Sequence, residues 1–426
     1  MSLVPVDDLH GIARGELPSS LSAADGGTPV LVLLPASTDE VRRIVLHARK
    51  KRTSVVPVGG RTTYFDNLAL EGAIAVDVSA MDAVVSIDEA NAVATARAGI
   101  RIATLDAALR GRGFCIPMRP DGYGDERLGS LVAHDTAAGL GAFHGPFADR
   151  IVGLEVVTGA GDVVQTGAAR VLGSSAGIRQ GVPDLGALFL AAEGRFGIVT
   201  EVAFQLAPSR PRARMRSAIG LGELEAVLGR VRDLRFSGAL DSVAFEHEYP
   251  SEEAGSLLVH ATPEGAAIVR AQLDLGEPTT LGKADGAFRG PPDRHRAALH
   301  ATFMDGVDVH VGWDDLSWIA GAARQSYARA MDRGCPVMRT TVYPGPHAVN
   351  VGFHFHFPRT GEGAAAARGL CSETASALAP RRPIPYRTGR RWRSVLAPDP
   401  AWLATLRGLA AVLDPDAVLN PGVGLV

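Results

Sequence analysis

His354 and His356 stand two residues apart in VNVGFHFHF, where Val349, Val351, Phe353, Phe355 and Phe357 alternate with Asn350, Gly352, His354 and His356. That period of two describes a strand with one apolar and one polar face. Imidazoles on such a face can exchange protons and hydrogen bonds with a bound molecule, or share a metal ion. The metal reading lacks carboxylate partners nearby in the sequence, and no metal is assigned. Tyr386 and Arg387 form a second group. A phenol hydroxyl and a guanidinium together suit an oxygen anion. Asp121 joins the catalytic candidates as a carboxylate able to take a proton from an alcohol or amine, although Pro-Asp-Gly is equally a turn signature.

Two other stretches suit binding rather than chemistry. Pro57-Val-Gly-Gly-Arg-Thr-Thr63 is a turn rich in glycine and hydroxyl groups, where successive backbone N–H groups can point at one anion. Between Arg127 and Val202, glycines at 129, 139, 141 and 145 bound short runs of small or apolar residues, so the backbone can lie close to something flat and polar.

The elements that must position these groups follow from pattern. Val30 to Leu34 reads as a strand. Ser37 with Glu40 forms a capping-box pattern before a helix whose face is Val41, Ile44, Val45 and Ala48, and Ser54 to Val58 is a second strand. A strand–helix–strand unit of this length predicts two parallel neighbours. Strands over 75–81, 84–87 and 92–98 follow, then a helix from about Thr104 and a hairpin of GLEVVT and DVVQTG around a Gly-Ala-Gly-Asp turn. PSRPRARMRS reads as a connector. Beyond it, helices over 223–235, 263–275, 317–333 and 362–378 alternate with strands over 241–248, 256–261, 337–343 and 349–357, which predicts a second α+β domain. Residues 282–300 read as a long loop.

Composition narrows the function classes. The 426 residues are 46% hydrophobic and 21% charged, enough for two to three domains with real cores. A formal net charge of −3 argues against nucleic acid as a partner. Cys115, Cys335 and Cys371 are widely separated, with no disulfide framework or thiolate metal spacing. No basic start with a long apolar run opens the chain and no stretch reaches membrane-spanning length, so a cytoplasmic protein acting on a small-molecule substrate is expected. Oligomeric state leaves no pattern.

The order of these motifs resembles that of flavoproteins of the vanillyl-alcohol oxidase and p-cresol methylhydroxylase type. The matching pieces are the Pro57-Val-Gly-Gly turn, AVDVSAM at 75–81, the central glycine run, GRFGIVT at 194–200 and the C-terminal DAVLNPG. The resemblance implies an α+β fold in two parts: a p-cresol methylhydroxylase-type FAD-binding domain over 1–210, completed by 384–426, and an α+β cap domain with an antiparallel sheet over 211–383. It implies that FAD is held by Pro57, Gly59, Gly60, Arg61, Thr62 and Thr63, by Gly129, Ser130, Asp135, Thr136, Gly139, Gly141 and Gly145, by Glu193, Gly194, Gly197, Ile198 and Val199, and by Asn420. In some relatives a phosphate-loop histidine attaches the flavin. Arg61 stands there, residues 127–145 hold no cysteine, and Val351 falls nearest the cap-domain attachment position, so non-covalent FAD is expected. Among phenol-oxidising members a Tyr-Arg pair and a further tyrosine stabilise a phenolate, the roles that Tyr386, Arg387 and Tyr64 would take. The implied activity is oxidation or dehydrogenation of a hydroxylated aromatic or alcohol by hydride abstraction. The alternatives are a 2-hydroxy-acid dehydrogenase, with Arg387 on the carboxylate and His354 and His356 in metal or proton chemistry, and a flavin-binding protein without turnover.

Overall fold

The computed structural model describes residues 9–16, 28–60, 70–116, 126–135, 145–250, 254–281 and 302–425. The chain opens with a four-stranded sheet: β1 (Ala13–Arg14), β2 (Leu31–Leu34), β3 (Val55–Val58) and β4 (Ile74–Asp77), in the order β1-β2-β4-β3. Helix α1 (Thr38–Lys51) links β2 to β3 and buries Val41, Ile44, Val45 and Ala48 as the periodicity predicts. Its Ser37 hydroxyl accepts from the Glu40 N–H at 3.2 Å, while the Glu40 carboxylate reaches back to Ala36 N at 2.7 Å. β2 and β3 are parallel, yet they are not neighbours, because β4 lies between them and pairs with both. β4 is buried at all four positions and so takes the interior place, which parallel sheets reserve for strands covered on both faces.

A five-stranded antiparallel sheet follows, built from β5 (Val84–Asp88), β6 (Val93–Arg97), β8 (Ile151–Thr158), β9 (Val163–Gln165) and β10 (Gly197–Gln205), in the order β5-β6-β10-β8-β9. The predicted hairpin is β8–β9. Strand β10, far along the chain, closes the sheet by inserting between β6 and β8. The short pair β7 (Phe114–Cys115) and β11 (Ala207–Pro208) and helices α2 (Ile102–Arg110), α3 (Leu128–His134) and α4 (Ala168–Leu172) complete this half.

The cap is an eight-stranded antiparallel sheet in the order β15-β12-β14-β13-β17-β18-β16-β19. Its strands are β12 (Arg212–Ile219), β13 (Leu240–Tyr249), β14 (Gly255–Ala261), β15 (Thr279–Leu281), β16 (Thr302–Val311), β17 (Val337–Pro344), β18 (Val349–Pro358) and β19 (Ile384–Pro385). Helices α5 (Leu224–Leu234), α6 (Ala266–Leu273), α7 (Ile319–Asp332) and α8 (Gly361–Leu378) cover one face, where Phe245, Val307, Val342, Val351, Phe353 and Phe355 join Val227, Ala323 and Ala367 in one core. Two expectations change here and a third is not reached. The connector PSRPRARMRS gives way to β12, because Ala213 and Met215 alternate into the core while the intervening arginines do not. The stretch 282–300 lies outside the described residues. The cap also reaches past its expected border at 383: β19 pairs with β16, and Trp392 belongs to the cap core. With α9 (Pro400–Leu413) and the segment after it the chain packs back on the first half, where Leu419 bridges Val55 alongside β3.

Candidate active site

Arg61, Thr62, Thr63, Tyr64, Asp121, Thr136, Gly139 and Gly141 lie outside the described residues. The remaining cofactor-side residues converge where the C-terminal end of β3, the first turn of α3 and the start of β10 meet. A Cβ at Gly59 would overlap the Ser130 hydroxyl, and one at Gly194 (φ +75°) would overlap the Pro57 ring. Glycine is therefore required at 194, while at 59 any larger residue would displace the Ser130 hydroxyl. The Ser130 hydroxyl also accepts from the Gly60 N–H at 3.4 Å. Gly129 has a packing role instead: its N–H donates to Ala98 O at 2.7 Å, and a Cβ there would crowd Ala98 at 2.9 Å. Gly197 likewise leaves room for Val156. Gly145 has a φ of +83° and faces Asp149.

Ile198 and Val199 bury their side chains in two different cores, so only their main chain is left for a ligand. On the side away from β8 that main chain precedes the β6 ladder, which starts at Glu201. Asp135 caps α3 in the left-handed region (φ 44°) and accepts from Ala148 N at 3.3 Å. Burial raises its carboxyl above the ordinary range against the pull of that hydrogen bond. Glu193 and Asn420 act as a staple. The buried Glu193 carboxylate accepts from Thr388 N at 2.8 Å, Thr388 Oγ1 at 3.0 Å and Gly389 N at 3.0 Å, while Asn420 Nδ2 donates to Glu193 O at 2.8 Å. These contacts fix the 388–389 segment to the glycine-lined half.

That staple sets the position of Tyr386 and Arg387. Tyr386 N donates to Asp308 O at 2.9 Å, and Arg391 reaches Asp305 at 2.6 Å and Gly306 O at 2.9 Å, so β16 holds the loop at both ends. The Tyr386 ring meets His310 edge-on, 5.6 Å between centroids and 74° between planes. Arg387 lies 5.1 Å from that Tyr386 ring and close enough to His134 to act on its charge. Burial first, and the Arg387 charge second, push the His134 imidazolium down to about 3. His134 is thus neutral near pH 7. Its Nδ1–H donates to Ser130 O at 3.0 Å, which leaves Nε2 as an acceptor.

The helix-free face of the cap sheet carries the rest. His354 Nε2 is 3.2 Å from Asp308 Oδ1 and 3.3 Å from Thr341 Oγ1, and a Cβ at Gly352 would collide with all three groups. The glycine lets them converge. His310, two residues from Asp308 on the same face, is held below its ordinary value by burial, with Asp308 opposing. His356 shares the face but turns to Thr302 Oγ1 at 3.4 Å. Among the described residues no group of three or more His, Cys, Asp or Glu side chains comes together as a metal cage. Val351 points into the helix-covered core. Sequence reading missed His134, Asp308 and His310. The alternation of Phe303, Val307, Val309 and Val311 in TFMDGVDVHV was the available signal for the last two.

Residues 29–167 match the family described as FAD binding domain. The glycolate oxidase subunit GlcD of Bacillus subtilis (strain 168) is 28% identical over 207 residues, covering 48% of this chain and 43% of that subunit, so the match spans less than half of the relative's length. The 4-ethylphenol oxidase of Gulosibacter chungangensis superposes with a TM-score of 0.78 at 16% identity, over 95% of this chain and 90% of that one. For p-cresol methylhydroxylase the TM-score is 0.75 at 15% identity, over 96% and 91%. Residues 29–167 are an FAD binding domain, joined to an α+β cap, and the fold is shared with these two solved structures along nearly the whole chain. FAD is its cofactor. The glycines at 59 and 194 fit that group in that they add no side chain of their own where the Ser130 hydroxyl and the Pro57 ring come against the main chain. Among the described residues no helix is long and apolar enough to cross a membrane.

Proposed function

We propose that the protein is an FAD-dependent oxidoreductase that removes hydride from a C–H bond bearing or conjugated to oxygen, with a hydroxylated aromatic or alcohol as the preferred substrate. Bound FAD, held without a covalent link, supplies the hydride-accepting ring. The observation that carries this reading is the position of Tyr386 and Arg387, pinned between β16 of the cap and Glu193 of the flavin half. There the guanidinium stabilises an oxygen anion on the substrate, and the Tyr386 hydroxyl donates to the same oxygen. A substrate phenolate so held releases electrons toward the para carbon, from which hydride departs. His310, whose charged form burial disfavours, is available to accept the hydroxyl proton, whereas His134, pushed down to about 3, serves only as a neutral hydrogen-bond acceptor. Asp308 orients His354 toward the same face.

A second reading, oxidation of a 2-hydroxy acid, is favoured by the Asp308–His354 pair and by the likeness to a glycolate oxidase subunit. Arg387 would then hold the substrate carboxylate and His354 take the hydroxyl proton. Anaerobic addition of p-alkylphenols, 2-hydroxy acids and sugars to the yellow protein separates the readings. Bleaching by phenols supports the first, and bleaching by hydroxy acids alone replaces it with the second. Bleaching by none of them points to a flavin protein without turnover on these classes. Acid precipitation should release the colour; a yellow washed pellet would contradict non-covalent binding.

A further inference from the structure

Arg387 and His134 come from distant parts of the chain, and each stands beside a residue that Glu193 holds. On one side Glu193 N donates to Ala133 O at 3.0 Å, one residue before His134. On the other, Glu193 Oε1 accepts from Thr388 N at 2.8 Å, Thr388 Oγ1 at 3.0 Å and Gly389 N at 3.0 Å, directly after Arg387. Oε2 shares the same Gly389 N–H at 3.2 Å. The Glu193 carbonyl accepts from Asn420 Nδ2 at 2.8 Å, and the segment after Asn420 returns a bond from Gly424 N to Gly389 O at 3.0 Å. Glu193 is buried, so water competes little for these contacts.

The backbone adds an independent observation. Ala191 and Glu193 both lie in the left-handed region, at φ 53° and 51°, just ahead of Gly194 at 75°. Glycine or asparagine takes that region at less cost than glutamate. A costly residue persists there where its surroundings over-determine it, and such residues gather at functional sites. The sequence resemblance gives Glu193 to FAD, whereas its carboxylate is engaged by the segment that follows Arg387. We propose that Glu193 is a positioning residue for the substrate site: it sets how Arg387 lies against His134 by placing one oxygen, and its contribution is geometric rather than electrostatic. This rests on the reading of Arg387 as the group that holds the substrate oxygen. Geometry and charge separate here because Oε1 alone receives three of the hydrogen bonds. Glutamine keeps an oxygen at that place without the charge. Aspartate keeps the charge and draws both oxygens back by one methylene.

The test is the limiting rate of anaerobic flavin reduction in FAD-loaded Glu193→Gln and Glu193→Asp, each in the wild-type and the Arg387→Ala background, with the p-alkylphenol or 2-hydroxy acid that bleaches wild type fastest. Glu193→Asp should be slower by about 10- to 100-fold at equal FAD content, the effect of a displacement on the order of 1 Å. Glu193→Gln should stay within about threefold of wild type, since the hydrogen bonds to Oε1 persist. In the Arg387→Ala background the further loss from Glu193→Asp should be less than about twofold, because residues that act through one another are not additive. A charge role reverses the order of the two variants, and a general structural role slows both backgrounds equally. Either result overturns the inference, as do wild-type rates in both Glu193 variants. A folded Glu193→Asp protein that takes up no FAD overturns it too, by giving the residue to the cofactor. These outcomes strike the inference alone. No bleaching of wild type, or Arg387→Ala at the wild-type rate, removes the reading of the site and the inference with it.

Discussion

The two faces of the cap sheet obey different rules. On the helix side, β18 contributes Val351, Phe353 and Phe355, all fully buried in one apolar core. On the other side the same strand contributes Asn350, Gly352, His354 and His356, also buried, but among Asp308, Thr341 and His310 rather than aliphatic neighbours. Packing explains the first face completely, because close-packed apolar side chains are what hold helices to a sheet. It does not explain the second. Burying histidines and an aspartate costs desolvation that packing alone does not call for, which is the ground for proposing this face as part of the active site.

Five changes sharpen or break that contrast. Phe353→Ala, on the packing face, should cost about 3–5 kcal/mol of stability in denaturant unfolding. If instead it slowed flavin reduction at unchanged stability, the division between the faces would be wrong. Arg387→Ala, on the polar side, should slow flavin reduction by about 100- to 1,000-fold with FAD still bound. Asp308→Asn removes the carboxylate that orients His354 and should slow reduction by roughly 100-fold, while the unfolding midpoint moves little beside that of Phe353→Ala. Tyr386→Phe removes one hydroxyl, with an expected loss of about fivefold in reduction rate. A fully colourless Tyr386→Phe protein would assign that residue to the cofactor rather than the substrate.

The smallest effect concerns His134. Its folded value of about 3 lies below its ordinary 6.5, so the unfolded chain binds the extra proton between those limits. The stabilisation is complete above about pH 6.5 and is lost as pH falls toward 3. His134→Gln should therefore flatten the decline in unfolding midpoint between pH 7 and pH 5 relative to wild type. Equal slopes would mean that His134 is not buried in its neutral form.

Much of this was legible in the sequence where pattern and local chemistry agree. The α1 face, the β8–β9 hairpin and the four cap helices follow from periodicity and turn residues. Pairing across distance was less accessible. Nothing local to Val30–Val58 says that β4 will enter between β2 and β3. Arginines in RARMRSAI masked β12, since strand propensity there depends on a core that only later segments supply. The same limit applies to the site. His354 and the Tyr386–Arg387 pair were visible as residue types, whereas their company, Asp308 and His310 from β16 and His134 from α3, comes from tertiary contacts. Gly129, from the spaced glycine run, and Gly197, implied by the family resemblance, also make room for Ala98 and Val156, contacts that no local pattern reveals.

The most direct measurement is the anaerobic rate of flavin reduction by a p-alkylphenol in wild type and Arg387→Ala, each normalised to bound FAD. Rapid bleaching in wild type and a rate about 100-fold or more lower in the variant, at equal FAD content, is the result expected. Equal rates in the two proteins would contradict the claim that the segment held between β16 and Glu193 forms the substrate site.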